Sequence, residues 1–290
     1  MCVPKPLAFP TNLKIDHVTF AGPELAPLQQ TFAELGLATD YGGPHSNGIT
    51  HMAMLGFRDG SYIELISSLV AGQKDQAFWG EHIVGNGGPC AWAVEVEDVA
   101  VEAARVANLG IPVDGPAYYH RRRPDGKLVE WDLAFLDDKG AGAVLPFIIQ
   151  DITPRRRRVR PSASVLDGPL TGLSRVVVGV RDLEAAVALF QRAYGWDTPA
   201  IIDQVDYGAR LAHFEDTPVV LATPAAGQGW LAERLARFGD SPCAYLIGAD
   251  DFAAAYDQFG LSRADRWFNR PVAWFDPSKL NGFTLGITGV

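Results

Sequence analysis

The chain has 290 residues, of which 48% are hydrophobic and 20% are charged. This length predicts about two globular domains, and no apolar run reaches the ~20 residues that a membrane-spanning helix needs. The 34 acidic residues outnumber the 25 basic ones, and the net charge of -9 argues against nucleic acid as a partner. The opening segment MCVPKPLAFPTNL lacks the apolar stretch of a secretory signal, so a cytoplasmic location is expected.

One pattern recurs four times: a strand, an amphipathic helix, and then two or three extended runs separated by tight turns. The copies span residues 13–68, 89–151, 173–224 and 242–288. Asp-Gly pairs at 59–60 and 125–126 supply the positive φ that hairpin turns need. Because a single βαβββ unit leaves one sheet face uncovered, the units are expected to pair. The sequence therefore predicts an α+β fold in which four βαβββ modules form two curved-sheet, cup-shaped domains.

The predicted boundaries follow from this repeat. Residues 1–152 form the first domain, residues 153–170 form a linker rich in Arg and Pro, and residues 171–290 form the second domain. The arginine run at 155–158 has the composition of a nucleic-acid patch, but the acidic net charge favours a solvated segment between domains.

Five segments of the first half carry a family resemblance: IDHVTFAG (15–22), GGPHSNGITH (42–51), GSYIELI (60–66), RRRPDGKLVEW (121–131) and LPFIIQD (145–151). Together they resemble the vicinal oxygen chelate superfamily, and within it the glyoxalase-like domain group. The resemblance implies a cup in which the first and last strands of paired modules each offer a metal ligand. It leaves the reaction open, because superfamily members include isomerases, lyases, dioxygenases and non-catalytic drug-binding proteins.

The candidate metal ligands are His17 and Glu64. Strand alternation places both on the face opposite the apolar residues of their strands, and imidazole and carboxylate are donors that divalent metals accept. The expected ion is zinc, manganese, iron or nickel, with a metal-free protein left open. A two- or four-residue turn would pair Leu55 with Glu64 and put His51 on the same face, about 13 Å along the strand. His51 is therefore a third donor left open, and with Glu64 a candidate acid-base residue, whereas His45 has the weakest case.

The candidate substrate-binding residues are Tyr62, Arg121, Arg123 and Trp92. Alternation sends Arg121 and Arg123 to one face, where guanidinium groups would suit a carboxylate. The second half is expected to be degenerate, because Arg175 stands where His17 stands in the first half and apolar residues replace Glu64.

The leading hypothesis is a metal-dependent isomerase or lyase that acts on a small carbonyl- or carboxylate-bearing molecule. The alternative is a non-catalytic protein of the bleomycin-resistance type that sequesters a small molecule. Its cups would be lined by large aromatic residues, namely Trp79, Trp92, Trp131, Trp267 and Phe147. The expected partner in either case is a small molecule, without nucleic acid or a membrane, and homodimerisation is left open.

Overall fold

A computed structural model describes residues 13–72 and 78–290. The strands of the first half are β1 (Ile15–Ala21), β2 (Asp40–Pro44), β3 (Thr50–Gly56), β4 (Tyr62–Ser68), β5 (Gly88–Glu95), β6 (Val113–Arg122), β7 (Leu128–Leu136) and β8 (Phe147–Asp151). Its helices are α1 (Leu25–Glu34), α2 (Gly80–Val84), α3 (Val99–Asn108) and α4 (Arg155–Arg158).

The second half repeats this order. Its strands are β9 (Leu170–Gly179), β10 (Ala200–Gln204), β11 (Ala209–His213), β12 (Val219–Pro224), β13 (Ser241–Ala249), β14 (Ser262–Trp267), β15 (Arg270–Trp274) and β16 (Leu285–Gly289). Its helices are α5 (Leu183–Tyr194), α6 (Trp230–Phe238) and α7 (Phe252–Gln258), and short 3-10 turns lie at Ala163–Val165 and Pro277–Lys279.

Each half forms one eight-stranded sheet from two βαβββ modules. The strand orders are β2-β3-β4-β1-β5-β8-β7-β6 and β10-β11-β12-β9-β13-β16-β15-β14. The first strands of the two modules pair antiparallel at the centre of each sheet, and the last strand of each module runs parallel to its own first strand. The predicted α+β fold of four paired modules is confirmed.

The main helices cover the convex face of each sheet because their sequences carry one apolar stripe. In α1 the buried residues are Leu25, Leu28 and Phe32, spaced three and four residues apart. Asp98 caps α3 by accepting a hydrogen bond from the backbone N–H of Val101 at 2.9 Å. Within residues 13–72 and 78–290, no helix has the length and apolar character to cross a membrane.

The two halves share one continuous hydrophobic core. The Trp92 ring of the first half stacks on the Phe190 ring of the second, with centroids 6.5 Å apart, and the core cluster contains residues of both sheets. The Tyr245 hydroxyl lies 2.8 Å from the carbonyl oxygen of Ala91 and 3.0 Å from that of Thr19. Because Thr19 and Ala91 lie on the central strands β1 and β5, the second half is hydrogen-bonded to the middle of the first sheet.

The first sheet curls until its two edge strands meet. An isolated bridge joins His45, just after β2, to Arg121 on β6. The close approach requires glycine at position 43, which has φ of 107° and where a Cβ would lie 2.6 Å from the carbonyl oxygen of Arg122. Arg121 Nη1 also donates to the carbonyl oxygen of Gly42. We call this contact the seam, and it closes the concave side of the sheet into a cavity.

The arginine run between the halves is only partly solvated. Arg156 and Arg157 are exposed, but Arg158 is 4% exposed and pairs with Asp16 on β1 and Asp151 on β8. The predicted solvation is therefore wrong for Arg158. The physical reason is that the buried carboxylate of Asp16 and the half-buried carboxylate of Asp151 lie next to α4, and both Arg155 and Arg158 pair with them.

Candidate functional site

A cavity of about 80 Å³ lies on the concave face of the first sheet. Its wall combines a small polar cluster with a larger aromatic surface. The polar part includes His17, His45, Tyr62, Glu64 and Arg121, and the aromatic part includes Phe78, Trp79, Tyr119, Trp131, Phe135 and Phe147. Such a volume suits a molecule much smaller than a typical drug.

Glu64 is the centre of the polar cluster. Its Oε1 lies 3.2 Å from His45 Nε2 and its Oε2 lies 3.5 Å from His17 Nε2, while Thr19 Oγ1 donates to Oε2 at 3.3 Å. Burial alone would raise the pKa of Glu64, but the hydrogen bond from His45 and the charges of His45, His17 and Arg121 lower it overall. The carboxylate is therefore held ionised inside the protein.

His17 is oriented by its sequence neighbour Asp16. The register of β1 against β5 shifts between Ile15 and His17, so a β-bulge lets adjacent side chains meet instead of pointing to opposite faces. His17 Nδ1 lies 2.5 Å from Asp16 Oδ1. Because an ionised carboxylate only accepts, Nδ1 carries the proton, and Nε2 is the nitrogen turned towards Glu64.

Asp16 is fully buried and is kept ionised by two arginines of α4. Arg158 donates to both of its carboxylate oxygens at 2.6 and 2.9 Å, and Arg155 contacts it from the other side. Burial would raise the pKa of Asp16, but Arg158 and His17 bring it well below its ordinary value. The ion-pair cluster of Asp16, Arg155 and Arg158 thus holds the imidazole of His17 at its Nδ1 side, away from Glu64.

Tyr62 and Arg121 complete the polar wall. The Tyr62 ring stacks on His17 at 4.6 Å between centroids, and its hydroxyl accepts a hydrogen bond from Arg158 Nη1 at 3.1 Å. Burial raises the pKa of this hydroxyl, so it stays protonated. Arg121 is 3% exposed, and burial lowers its pKa although Tyr62 and Glu64 oppose that shift. It is a cation held at the cavity wall.

His51 does not reach the cavity, and the predicted register of its strand is wrong. Met54, rather than Leu55, pairs with Glu64, so His51 lies on the opposite sheet face and pairs with Ser67. The cause is the hairpin loop: Phe57 N–H bonds to the Ser61 carbonyl, which leaves a loop with an odd number of residues. An odd loop moves every side chain of β3 to the other face relative to the even turn that was predicted.

Arg123 and Trp92 also lie away from the cavity. Arg123 Nη1 donates to the Arg157 carbonyl oxygen at 2.7 Å, and its Nη2 lies 3.2 Å from Asp125, because β6 ends at Arg122 and alternation stops there. Trp92 is fully buried on the convex side, next to Val18, and its Nε1 donates to the carbonyl oxygen of Val144 at 3.1 Å. The structure does not bring either predicted substrate-binding residue to the polar cluster.

His45, ranked weakest from the sequence, is instead the second imidazole of the site. Its backbone N–H bonds to Thr50 across a four-residue turn, and its Nδ1 lies 2.8 Å from Thr50 Oγ1. The Asn-Gly pair at 47–48 is the local signal for this turn. Its closeness to Glu64 depends on the seam, which no local pattern reveals.

Of the aromatic residues predicted to line a ligand pocket, three do so. Trp79, Trp131 and Phe147 border the cavity, and the rings of Phe147 and His17 meet in a T-shaped arrangement with centroids 5.2 Å apart. Trp267 lies fully buried in the core of the second half, and Trp92 lies in the shared core.

The polar cluster does not fit a tight divalent-metal site as it stands. Among residues 13–72 and 78–290, no group of three or more His, Cys, Asp or Glu side chains is arranged to hold a metal ion. The two imidazoles contact different oxygens of Glu64. In the second module, the residue that pairs with His17 is Ala93 on β5, and Ile149 on β8 lines the cavity; neither side chain can bind a metal. Three or four converging protein ligands are the usual requirement.

The register of the second sheet supports the predicted loss of this cluster there. Val177 pairs with Val220 where Thr19 pairs with Glu64 in the first sheet, and Arg175 precedes Val177 by two residues as His17 precedes Thr19. The second cup therefore has a guanidinium group in place of an imidazole and an apolar side chain in place of the carboxylate.

The sequence profile of the family described as "Glyoxalase-like domain" matches residues 15–196. A comparison with curated proteins gives no match. A hypothetical protein from Staphylococcus aureus superposes with a TM-score of 0.65 at 14% identity, covering 96% of this chain and 100% of that one. A mutant of 4-hydroxymandelate synthase from Streptomyces coelicolor gives 0.64 at 11% identity, covering 96% and 92%. Methylmalonyl-CoA epimerase from Mycobacterium tuberculosis gives only 0.38 at 19% identity, covering 43% and 91%. At these identities, the two higher scores show a shared fold alone.

Proposed function

The chain belongs to the glyoxalase-like domain family, and from this premise we propose that its first cup catalyses proton transfer on a small carbonyl- or carboxylate-bearing molecule. The reaction class is isomerase or lyase chemistry. One observation carries the proposal: a buried, ionised Glu64 lies between two imidazoles at the wall of a small cavity. Groups that can take and return a proton within about 3.5 Å of each other are what such chemistry requires.

The proposed step begins with removal of a proton from a carbon next to a carbonyl group. Glu64 accepts this proton, and the electron pair moves to the carbonyl oxygen as an enolate forms. Arg121 supplies positive charge for that oxygen at the same wall, which stabilises the transition state more than the ground state. In an isomerase, Glu64 passes this proton to His17 Nε2, 3.5 Å from its Oε2, and His17 delivers it to a neighbouring carbon, so both side chains end in the protonation states in which they began. In a lyase, the carbonyl re-forms as the bond from the adjacent carbon to a leaving group breaks, and the leaving group takes the proton from Glu64.

The side chains behind the cluster prepare it for this role. Asp16 fixes the tautomer and direction of His17, much as a buried aspartate orients a catalytic imidazole in hydrolases. Phe147 and Trp131 add apolar rings to the same cavity, and an apolar surrounding strengthens the electrostatic interactions of Glu64 and Arg121.

A second candidate is non-catalytic binding of a small aromatic or apolar molecule. The observation that favours it is the aromatic share of the wall, in which Phe78, Trp79, Trp131, Phe135 and Phe147 outnumber the charged groups. The small cavity volume favours a compact substrate instead, because sequestering proteins for drug-sized ligands need several hundred Å³.

The test is proton exchange with solvent. The protein is incubated in D2O with a panel of small 2-oxo acids, hydroxy acids and hydroxyketones, and loss of each C–H signal is followed by proton NMR. Glu64→Gln should abolish exchange, whereas Glu34→Gln, an exposed glutamate on α1, should leave it unchanged. Binding seen by tryptophan quenching, without exchange or product, would favour the second candidate.

The same assay tests the metal predicted at His17 and Glu64. Protein dialysed against a chelator is measured before and after addition of zinc, manganese, iron or nickel, with metal content determined for wild type and for His17→Ala. Exchange that depends on added metal, together with metal lost in His17→Ala, would favour metal assistance over the side chains acting alone.

A further inference from the structure

The second half contains its own, much larger cleft. It has a volume of about 2050 Å³ and lies on the concave side of the second sheet, extending to residues that precede β1. Basic and imidazole groups on β9, β11 and β15 line it, namely Arg175, His213 and Arg270. The proposed chemistry of the first cup uses none of them.

Arg175 is buried without a counter-charge. It is 6% exposed, its Nη1 has no hydrogen-bond partner, and no carboxylate within residues 13–72 and 78–290 forms an ion pair with it. Burial and the neighbouring charge of Arg270 lower its pKa to about 10. A buried guanidinium group that meets another cation and no anion is costly, and a bound anion would remove that cost.

His213 adds an acceptor beside this cation. Its Nδ1 donates to the carbonyl oxygen of Val219 at 2.8 Å, which leaves Nε2 with a lone pair. Burial and the charges of Arg175 and Arg270 lower the pKa of His213 to about 4, although Val219 and Asp216 oppose this. The imidazole is therefore neutral at pH 7 and suited to accept a hydrogen bond from a hydroxyl group.

The carboxylates of the cleft are engaged elsewhere or lie at its rim. Asp59 accepts hydrogen bonds from Ser61, and Asp250 pairs with Arg58 at 3.3 Å. Glu215 and Asp216 are exposed. None of these four carboxylates forms an ion pair with Arg175, whose Nη1 is buried without a hydrogen-bond partner in the part of the chain that the structure describes.

We propose that this cleft is a second binding site, for a small molecule whose carboxylate or phosphate group pairs with Arg175. The planar guanidinium group can bind either anion through two parallel hydrogen bonds. A hydroxyl group on the same molecule would donate to His213. The groups offered to a ligand differ from those of the first cup, where the corresponding positions hold an imidazole and a carboxylate.

The experiment is isothermal titration of the intact protein with inorganic phosphate and, separately, with glycolate, at constant ionic strength set by chloride. Wild type should bind at least one probe saturably, and Arg175→Gln should weaken that binding at least tenfold. Arg210→Gln is the matched control, because Arg210 lies on β11 with its side chain 55% exposed and outside the cleft. Binding by phosphate alone or by glycolate alone identifies the anionic group. Equal binding by Arg175→Gln and wild type, or no saturable binding of either probe, would overturn the proposal.

A second variant keeps the proposal testable if Arg175→Gln does not fold. Arg175→Met replaces the unpaired charge with an apolar chain of similar length, so it should unfold at a higher temperature than wild type in anion-free buffer. The probe that binds wild type should raise the Tm of wild type but not of Arg175→Met. A lower Tm together with an undiminished response to the probe would contradict the assignment.

Discussion

At the scale of single residues, the first cup depends on one buried ion-pair cluster. Asp16 joins the imidazole of His17 to the guanidinium groups of Arg155 and Arg158, which arrive from a helix about 140 positions later in the chain. Buried pairs of this kind are weak evidence for stability, but breaking one leaves an uncompensated charge. The cluster therefore couples the position of a candidate catalytic side chain to the stability of the fold.

Asp16→Asn should lower the free energy of unfolding at neutral pH by about 3–5 kcal/mol, because Arg158 would remain buried without its counter-charge. The pKa of Asp16 is depressed in the folded protein below its ordinary value of 3.8, so the ionised carboxylate stabilises the fold above that pH. This stabilisation is lost progressively as the pH falls from about 4 towards the lower pKa of the folded protein, because the unfolded chain takes up a proton at Asp16 first.

Urea unfolding at several pH values measures this difference. The gap between Asp16→Asn and wild type should narrow below about pH 4. The control is Asp240→Asn, which removes a pair with the 68% exposed side chain of Arg181 and should cost less than about 1 kcal/mol. A cost for Asp16→Asn as small as that of the control would contradict the role given to the cluster.

Some of these residues follow from the sequence and others do not. Alternation along β1 and β4 places His17, Tyr62 and Glu64 on one face, and the structure has them there. Asp16 could not be assigned, because a bulge breaks alternation at that position. Arg158 could not be assigned either, because its partners lie far away in the chain and a run of arginines is typical of solvated segments.

At the scale of elements, a single hairpin loop decides which face of β3 lines the cavity. The loop at 58–60 contains three residues between the bonded pair Phe57 and Ser61, and Gly60 takes a φ of 87°. Asp59 Oδ1 accepts from the backbone N–H of Ser61 at 2.8 Å and fixes the turn. The sequence RDGS is also compatible with a turn of two or four residues. Because the loop has three, the prediction assigned His51 to the wrong face of the sheet.

Gly60→Ala should lower the free energy of unfolding by about 1–2 kcal/mol, because an L-residue is strained at that φ. Space is available, since the nearest atom to an added Cβ would be Arg155 Nε at 3.7 Å, so the cost measures backbone strain alone. Gly168→Ala is the control, because its φ lies outside the left-handed region and its surroundings are open. Chemical denaturation that finds equal costs at the two positions would exclude this loop conformation.

The seam is the second element that sequence patterns could not predict. A repeat of βαβββ units predicts the sheets and their curvature, but the meeting of β2 and β6 depends on how far the sheet curls. Glycines at positions 42 and 43 allow the close approach, and the seam brings His45 and Arg121 into the same cluster. Two of the five polar wall residues, His45 and Arg121, are thus brought to the cavity by tertiary closure of the sheet.

At the scale of the whole molecule, the two halves pack against each other through one shared core. The core cluster contains residues of both sheets, and the Tyr245 hydroxyl satisfies carbonyl oxygens on the central strands of the first sheet. The repeat predicted two cups correctly. The repeat could not predict that the convex faces of the two sheets share a core, because the apolar stripe of a helix does not reveal whether it packs on one sheet or on both.

A shared core predicts one cooperative unfolding transition. Scanning calorimetry should give a single peak whose van't Hoff and calorimetric enthalpies agree, and Tyr245→Phe should lower Tm without splitting the peak. Tyr41→Phe is the matched control, since Tyr41 is 46% exposed at the edge of the first sheet. Two resolved transitions in the wild type would contradict the shared core.

The central claim is that Glu64 transfers a proton within the first cup, and its most direct test is the rate of deuterium incorporation into a substrate from the small-acid panel. General acid-base catalysis predicts that Glu64→Gln slows this rate by about 100-fold or more, while Glu34→Gln retains the wild-type rate. A folded Glu64→Gln variant that exchanges the substrate proton as fast as wild type would contradict the account.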